Sequence, residues 1–214
     1  MDQILVYGDS LTWGIIPNTR QRLRFNQRWP GVLERALIRS GCEVRVIEDC
    51  LNGRRTVWED PYKPGRNGLA GLEQRIEINS PLALVILMLG TNDFQSMHQF
   101  NTWQSAQGVA ALVRAIRRAL IEPGMPVPAI LVVAPPPLRE ASGPIAPKFT
   151  GAQEKSKGLA EAYRQVALEL ECAFFEAGSV TPSSNVDGIH LDADQHEILG
   201  MKLAGVVEAI LKAA

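Results

Sequence analysis

Leu82-Ala83-Leu84-Val85-Ile86-Leu87-Met88-Leu89, followed at once by Gly90-Thr91-Asn92-Asp93, is the stretch on which the fold turns. An apolar run without polar alternation is how a strand reads when helices cover both faces of a parallel sheet. This is the longest such run in the chain, and at eight residues it falls well short of the ~18 that a membrane-spanning helix needs. Four more runs of branched aliphatic or aromatic character are spaced along the sequence: Ile4–Tyr7, Val44–Ile47, Ala129–Ala134 and Ala173–Phe175. Helical periodicity fills gaps between them. Val109, Leu112, Val113, Ile116 and Leu120 share one face, as do Leu159, Tyr163, Val166 and Leu170, and again Leu199, Leu203, Val206 and Ile210. Asp192 with Gln195 three residues on resembles a capping box at the start of the last helix.

Strands alternating with helices every ~40 residues predict βαβ units. The expected fold is α/β: a single doubly wound five-stranded parallel sheet in flavodoxin-like order 2-1-3-4-5. Residues 1–214 are expected to form one domain, a size that gives one sizeable core and little room for a second. Two connections are long, residues 51–67 and the stretch 123–147, which holds eight of the fourteen prolines. Any cover over a site is expected from these two or from a neighbouring subunit.

Composition narrows the function classes. A net charge of −1 with 46% hydrophobic and 21% charged residues offers no basic footprint for nucleic acid or an anionic membrane. Three cysteines, Cys42, Cys50 and Cys172, are odd in number and widely spaced, so neither a disulfide framework nor a thiolate zinc site is expected. With no basic, apolar leader at the N-terminus, a cytoplasmic location is expected.

Ligands of open α/β sheets bind beyond the carboxyl ends of the strands, so the residues there carry the chemical reading. Gly8-Asp9-Ser10-Leu11-Thr12-Trp13-Gly14 places a hydroxyl in the first strand-to-helix turn, where helix-start N–H groups favour developing negative charge. Ser10 is the nucleophile candidate, although Asp and Ser between glycines also serve as turn and N-cap residues. Of the three histidines, His190 lies in Asp187-Gly188-Ile189-His190, where an Asp three residues earlier can hold Nδ1–H and leave Nε2 as base. His98 and His196 lack such a partner and read as structural. Asn92 can offer a side-chain N–H and Gly53 a backbone N–H to an oxyanion, or both can be turn residues.

Taken together and in order, these blocks resemble the SGNH hydrolases of the GDSL esterase family, in particular the bacterial arylesterase and acyltransferase branch. Val132-Val133-Ala134-Pro135-Pro136-Pro137-Leu138 and Arg66-Asn67-Gly68 extend the likeness. The resemblance implies a catalytic triad of Ser10, Asp187 and His190, and an oxyanion hole of Ser10, Gly53 and Asn92. Some members of the branch carry alanine where Gly53 stands. The family also implies structural hydrogen-bonding roles for Asp9 and Asp93, no cofactor, a small-molecule ester substrate, and a homo-oligomer. Trp13, Ile15 and Ile189 are expected to line the substrate pocket, with core packing the competing reading for the residues after the nucleophile. A rival of another class is a metal-dependent phosphatase or phosphoacceptor in which Asp9, Asp93, Asp187 and His190 converge as ligands.

Overall fold

The computed structural model describes residues 1–213. Five parallel strands, β1 (Asp2–Gly8), β2 (Val44–Cys50), β3 (Leu84–Met88), β4 (Ala129–Ala134) and β5 (Ala173–Glu176), form one sheet in the order β2-β1-β3-β4-β5. Registers such as Ile4↔Val46, Ile4↔Leu84 and Val85↔Ile130 hold the central strands level. The α-helices are α1 (Ser10–Trp13), α2 (Trp29–Arg39), α3 (Leu72–Asn79), α4 (Thr102–Arg118), α5 (Ala152–Lys155), α6 (Leu159–Glu169) and α7 (Ala193–Ala213). The expected architecture and strand order are those observed.

The unbroken apolar reading of the strands has a direct cause. Along β1, Leu5 and Tyr7 join a core layer with Leu72 and Ile76 of α3, Leu112 of α4 and Tyr163 of α6. Ile4 and Val6 point the other way, into a layer with Leu11 of α1, Leu33 of α2 and Leu199 of α7. In β3, Val85 and Leu87 join the first layer and Leu84, Ile86 and Met88 the second, so both strand faces are dry. That arrangement leaves the carboxyl edge of the sheet as the place for polar loops.

Two local expectations shift. Leu120 lies past the end of α4 and is 82% exposed; the chain leaves helical geometry at Ala119 (φ −54°, ψ 135°), just ahead of Pro123, Pro126 and Pro128. At the start of α7, the Asp192 N–H donates to Gln195 Oε1 at 2.8 Å, the reciprocal half of the expected capping box. Among the described residues, no helix is long and apolar enough to cross a membrane.

His196 is a core residue. Its Nδ1 accepts from the Trp29 N–H at 3.2 Å, tying α7 to the start of α2. Burial, with Arg28 and His190 nearby, pushes its pKa down to about 3. The unfolded chain protonates this ring near ~6.5 while the folded one does not, so the contribution of His196 to stability falls as pH drops through that window. His196→Asn keeps an acceptor at the Nδ1 position without titrating. The stability advantage of wild type over this variant is expected to shrink by on the order of 2 kcal/mol between about pH 7 and about pH 5, read by denaturant unfolding at both values.

Candidate active site

β1 ends at Gly8 and the chain turns directly into α1, so Ser10 stands at the carboxyl edge of the sheet on the first turn of a helix. Asp9 is the N-cap, its Oδ1 accepting from the Leu11 N–H at 2.9 Å. From the far end of the chain, the turn between β5 and α7 brings Asp187 and His190 to the same edge. Asp187 Oδ1 accepts from the backbone N–H groups of Ile189 and His190, both at 2.9 Å. Asp187 Oδ2 lies 2.7 Å from His190 Nδ1, and His190 Nε2 lies 3.1 Å from Ser10 Oγ.

Burial alone would raise the Asp187 carboxyl, but the hydrogen bond and charge of His190 and the two backbone donors outweigh it and hold the group below its ordinary value. An ionised carboxylate only accepts, so it fixes the imidazole proton on Nδ1 and turns the Nε2 lone pair toward the serine hydroxyl. The turn itself is backed by the proline-rich stretch after β4. Arg139 N–H donates to Gly188 O at 3.0 Å, Ser142 N–H to Asp187 O at 3.1 Å, and Ser183 Oγ to Pro137 O at 2.8 Å.

The loop after β2 supplies the opposite wall. Gly53 has φ +84°, a left-handed conformation that glycine adopts without strain. The backbone N–H groups of Gly53 and Ser10 have no hydrogen-bond acceptor among the described residues. Arg66 Nε clamps the loop from behind by donating to Asn52 O at 3.0 Å, and Arg55 N–H donates to Arg66 O at 2.8 Å. Asn92, in the loop after β3, donates from Nδ2 to Asp9 Oδ2 at 2.9 Å and to Arg54 O at 3.1 Å.

Ser10, Gly53, Asn92, Asp187 and His190 all line one cavity of about 380 Å³. Of the expected pocket residues, Ile15 is in its wall. Trp13 and Ile189 lie elsewhere. The Trp13 ring lies under the Arg22 guanidinium at 4.7 Å, and Ile189 is fully buried in the core layer shared with Leu138 and Phe149. In a tight turn that aims Asp187 and His190 at the cavity, the intervening apolar side chain takes the inward side. The cover comes from the expected segments, with Lys63 in one and Pro144 and Ile145 in the other. It also comes from Asn18, Thr19 and Arg20 and from Lys148 and Phe149, which the sequence reading missed. The Pro17-Asn18-Thr19-Arg20 turn, so soon after Ser10, was the available signal.

The four presumptive metal ligands of the rival reading do not converge. Asp93 faces away, with Oδ1 accepting from Thr56 N–H at 3.0 Å and Oδ2 from Thr56 Oγ1 at 2.8 Å and Ser105 Oγ at 2.6 Å. Asp9 is occupied by Leu11 and Asn92. Among the described residues, no group of three or more His, Cys, Asp or Glu is placed to hold a metal ion.

Residues 6–198 match the GDSL-like Lipase/Acylhydrolase family. The chain belongs to this family. The Gly-Asp-Ser-Leu stretch of the name is residues 8–11 here. The inhibitor-bound aryl esterase of M. smegmatis superposes with a TM-score of 0.92 at 35% identity, covering 98% of this chain and 100% of that one. A carbohydrate acetylesterase from Sinorhizobium meliloti superposes with a TM-score of 0.92 at 36% identity, with the same coverage of both chains. In sequence, an arylesterase of Vibrio mimicus is 34% identical over 92 residues, a match that spans 43% of this chain and 38% of that protein.

Gly188 separates the two members of the turn at φ +78°, and a Cβ there would stand 2.4 Å from the Glu140 carbonyl oxygen. Gly188→Ala combines left-handed strain with a backbone clash and is expected to cost roughly 2–4 kcal/mol in unfolding free energy. Gly53→Ala carries the strain alone, because its Cβ would meet only the Arg66 side chain at 3.9 Å, and is expected to cost about 1 kcal/mol. Thermal denaturation of the two variants side by side checks the difference.

Proposed function

We propose that residues 1–214 act as a single serine-esterase domain that hydrolyses small carboxylic esters, aryl or short-chain alkyl, through an acyl-Ser10 intermediate. The observation that carries this reading is the unbroken hydrogen-bonded line from Asp187 Oδ2 through His190 to Ser10 Oγ, set beside two N–H groups free to donate.

In the proposed first half-reaction, His190 Nε2 takes the Ser10 proton while Oγ attacks the ester carbonyl carbon. The carbonyl oxygen becomes negative and is met by the Ser10 N–H, the Gly53 N–H and the Asn92 Nδ2–H that exchanges the Arg54 carbonyl for the oxyanion, donors of a kind worth about 3–4 kcal/mol each when removed from an oxyanion hole. Collapse breaks the bond to the alcohol oxygen, which leaves with the proton held on Nε2. Water then repeats the sequence on the acyl-enzyme, its proton passing to Nε2 and back to Ser10 Oγ as the carboxylic acid departs. An alcohol or hydrogen peroxide in place of water would yield a transferred ester or a peracid by the same steps.

The named activities of the similar proteins, aryl esterase and carbohydrate acetylesterase, support a small acyl group, acetyl above all, on a phenol or a sugar hydroxyl. A cavity of about 380 Å³ is of the size that holds small molecules. The test is p-nitrophenyl acetate hydrolysis by wild type and Ser10→Ala. The alanine variant is expected to lose roughly 10⁴-fold or more in kcat with its unfolding transition unchanged. Full activity in Ser10→Ala would remove the nucleophile and the mechanism with it.

A further inference from the structure

The cavity that holds Ser10 is also lined by Arg20, Lys63 and Lys148. Each comes from a different loop, and none makes a salt bridge or a side-chain hydrogen bond among the described residues. Other arginines are engaged: Arg22 and Arg28 with Glu48, Arg54 with Asp49, and Arg55 with Asp60. The carboxylates near the cavity are already committed. Asp187 serves His190, while Asp60 accepts from Arg55 and from the backbone N–H groups of Tyr62 and Lys63.

The cations also act on one another. Burial lowers the Lys63 ammonium, Arg66 and Arg20 lower it further, and Asp60 opposes them. Lys148 is lowered by burial, with Asp60 opposing and Arg55, Lys63 and Arg20 adding to the effect. Three like charges gathered around a reactive serine face one carboxylate, Asp60, which is already paired with Arg55, and so form a net positive field that an anion relieves.

We infer that Arg20, Lys63 and Lys148 select esters bearing an anionic group, a carboxylate, sulfate or phosphate, close to the scissile bond. This rests on the esterase reading and names the substrate class of that same site. The anionic group can sit on the acyl half or the alcohol half, and matched substrates separate the two. The acyl arm compares p-nitrophenyl hemisuccinate with p-nitrophenyl pentanoate. The alcohol arm compares m-acetoxybenzoate with m-acetoxybenzamide. All are measured as kcat/KM at low ionic strength after subtraction of the uncatalysed rate.

At least one anionic substrate is expected to exceed its neutral match by about tenfold. That ratio should fall toward one in Arg20→Gln/Lys63→Gln/Lys148→Gln and in high salt, and should survive in Lys63→Arg/Lys148→Arg. Anionic substrates no better than neutral ones in both arms, or a ratio unchanged in the triple glutamine variant, would overturn the inference. Calorimetric titration of m-acetoxybenzoate into Ser10→Ala, with and without the triple substitution, reads the anion site without turnover. Loss of binding on the triple substitution supports the inference and equal binding overturns it. A wild type no faster than Ser10→Ala on every ester would instead sink the esterase reading.

Discussion

The carboxamide of Asn92 is the constraint on which the site depends. Its Nδ2 donates to Asp9 Oδ2 and to the Arg54 carbonyl, and its Oδ1 accepts from Gln95 Nε2 at 2.6 Å. One side chain thus joins the loop after β1, which carries Ser10, to the loop after β2, which carries Gly53, and to its own loop after β3. Asp9 makes the orientation obligatory, because an ionised carboxylate can only accept and must face the N–H₂ side of the amide. Burial pushes the Asp9 carboxyl up to about 6 against the opposing effects of Leu11, His190, Asn92 and Arg54, so those donors are what keep it available as an acceptor near neutrality. A buried polar group left unpaired costs about 1–3 kcal/mol. Asn92, Asp9 and Gln95 therefore stand or fall together.

Behind this hub lies a second buried polar chain that reaches the outer helices. Ser105 Oγ of α4 donates to Asp93 Oδ2 at 2.6 Å and lies 2.8 Å from the Tyr163 hydroxyl of α6, whose one proton is shared between Ser105 Oγ and Leu89 O, 3.2 Å away. Asp93 is raised to about 6 by burial despite donors from Ser105 and Thr56. The guanidinium of Arg54 does the same work on the other side, bonding Gly8 O at 3.1 Å and Asp49 Oδ1 at 2.8 Å while lying 3.9 Å over the Tyr7 ring. Fully paired networks of this kind define one arrangement of loops and penalise the others.

What could be read from the sequence divides along physical lines. Both faces of β1, β3 and β4 are dry, so their residues had no polar alternative and the sheet was legible from run length alone. Ser10, Asp187 and His190 were legible because strand topology fixes where residues 10 and 190 meet, whatever lies between. Ile189 misled because Asp187 and His190 on either side of it face the cavity, whereas its own side chain is packed into the core layer with Leu138 and Phe149. α2 showed no readable start: Trp29-Pro30-Gly31 looks like a turn, yet Pro30 is tolerated in the first helical turn, where the N–H that proline lacks would have had no intrahelical acceptor. The cation trio was invisible because Arg20, Lys63 and Lys148 share no motif and meet only through the folding of three separate loops.

The proposed chemistry requires the loops after β1, β2, β3 and β5 to converge on Ser10 and to hold an oxyanion there. It is tested most directly by a crystal structure of the protein after reaction with a small alkyl phosphonate ester, whose phosphonyl oxygen imitates that oxyanion. A single covalent bond at Ser10 Oγ is expected, with that oxygen within about 3 Å of the Ser10 N, Gly53 N and Asn92 Nδ2 atoms. A bond to any other residue, or an oxygen turned away from Gly53 and Asn92, would contradict it.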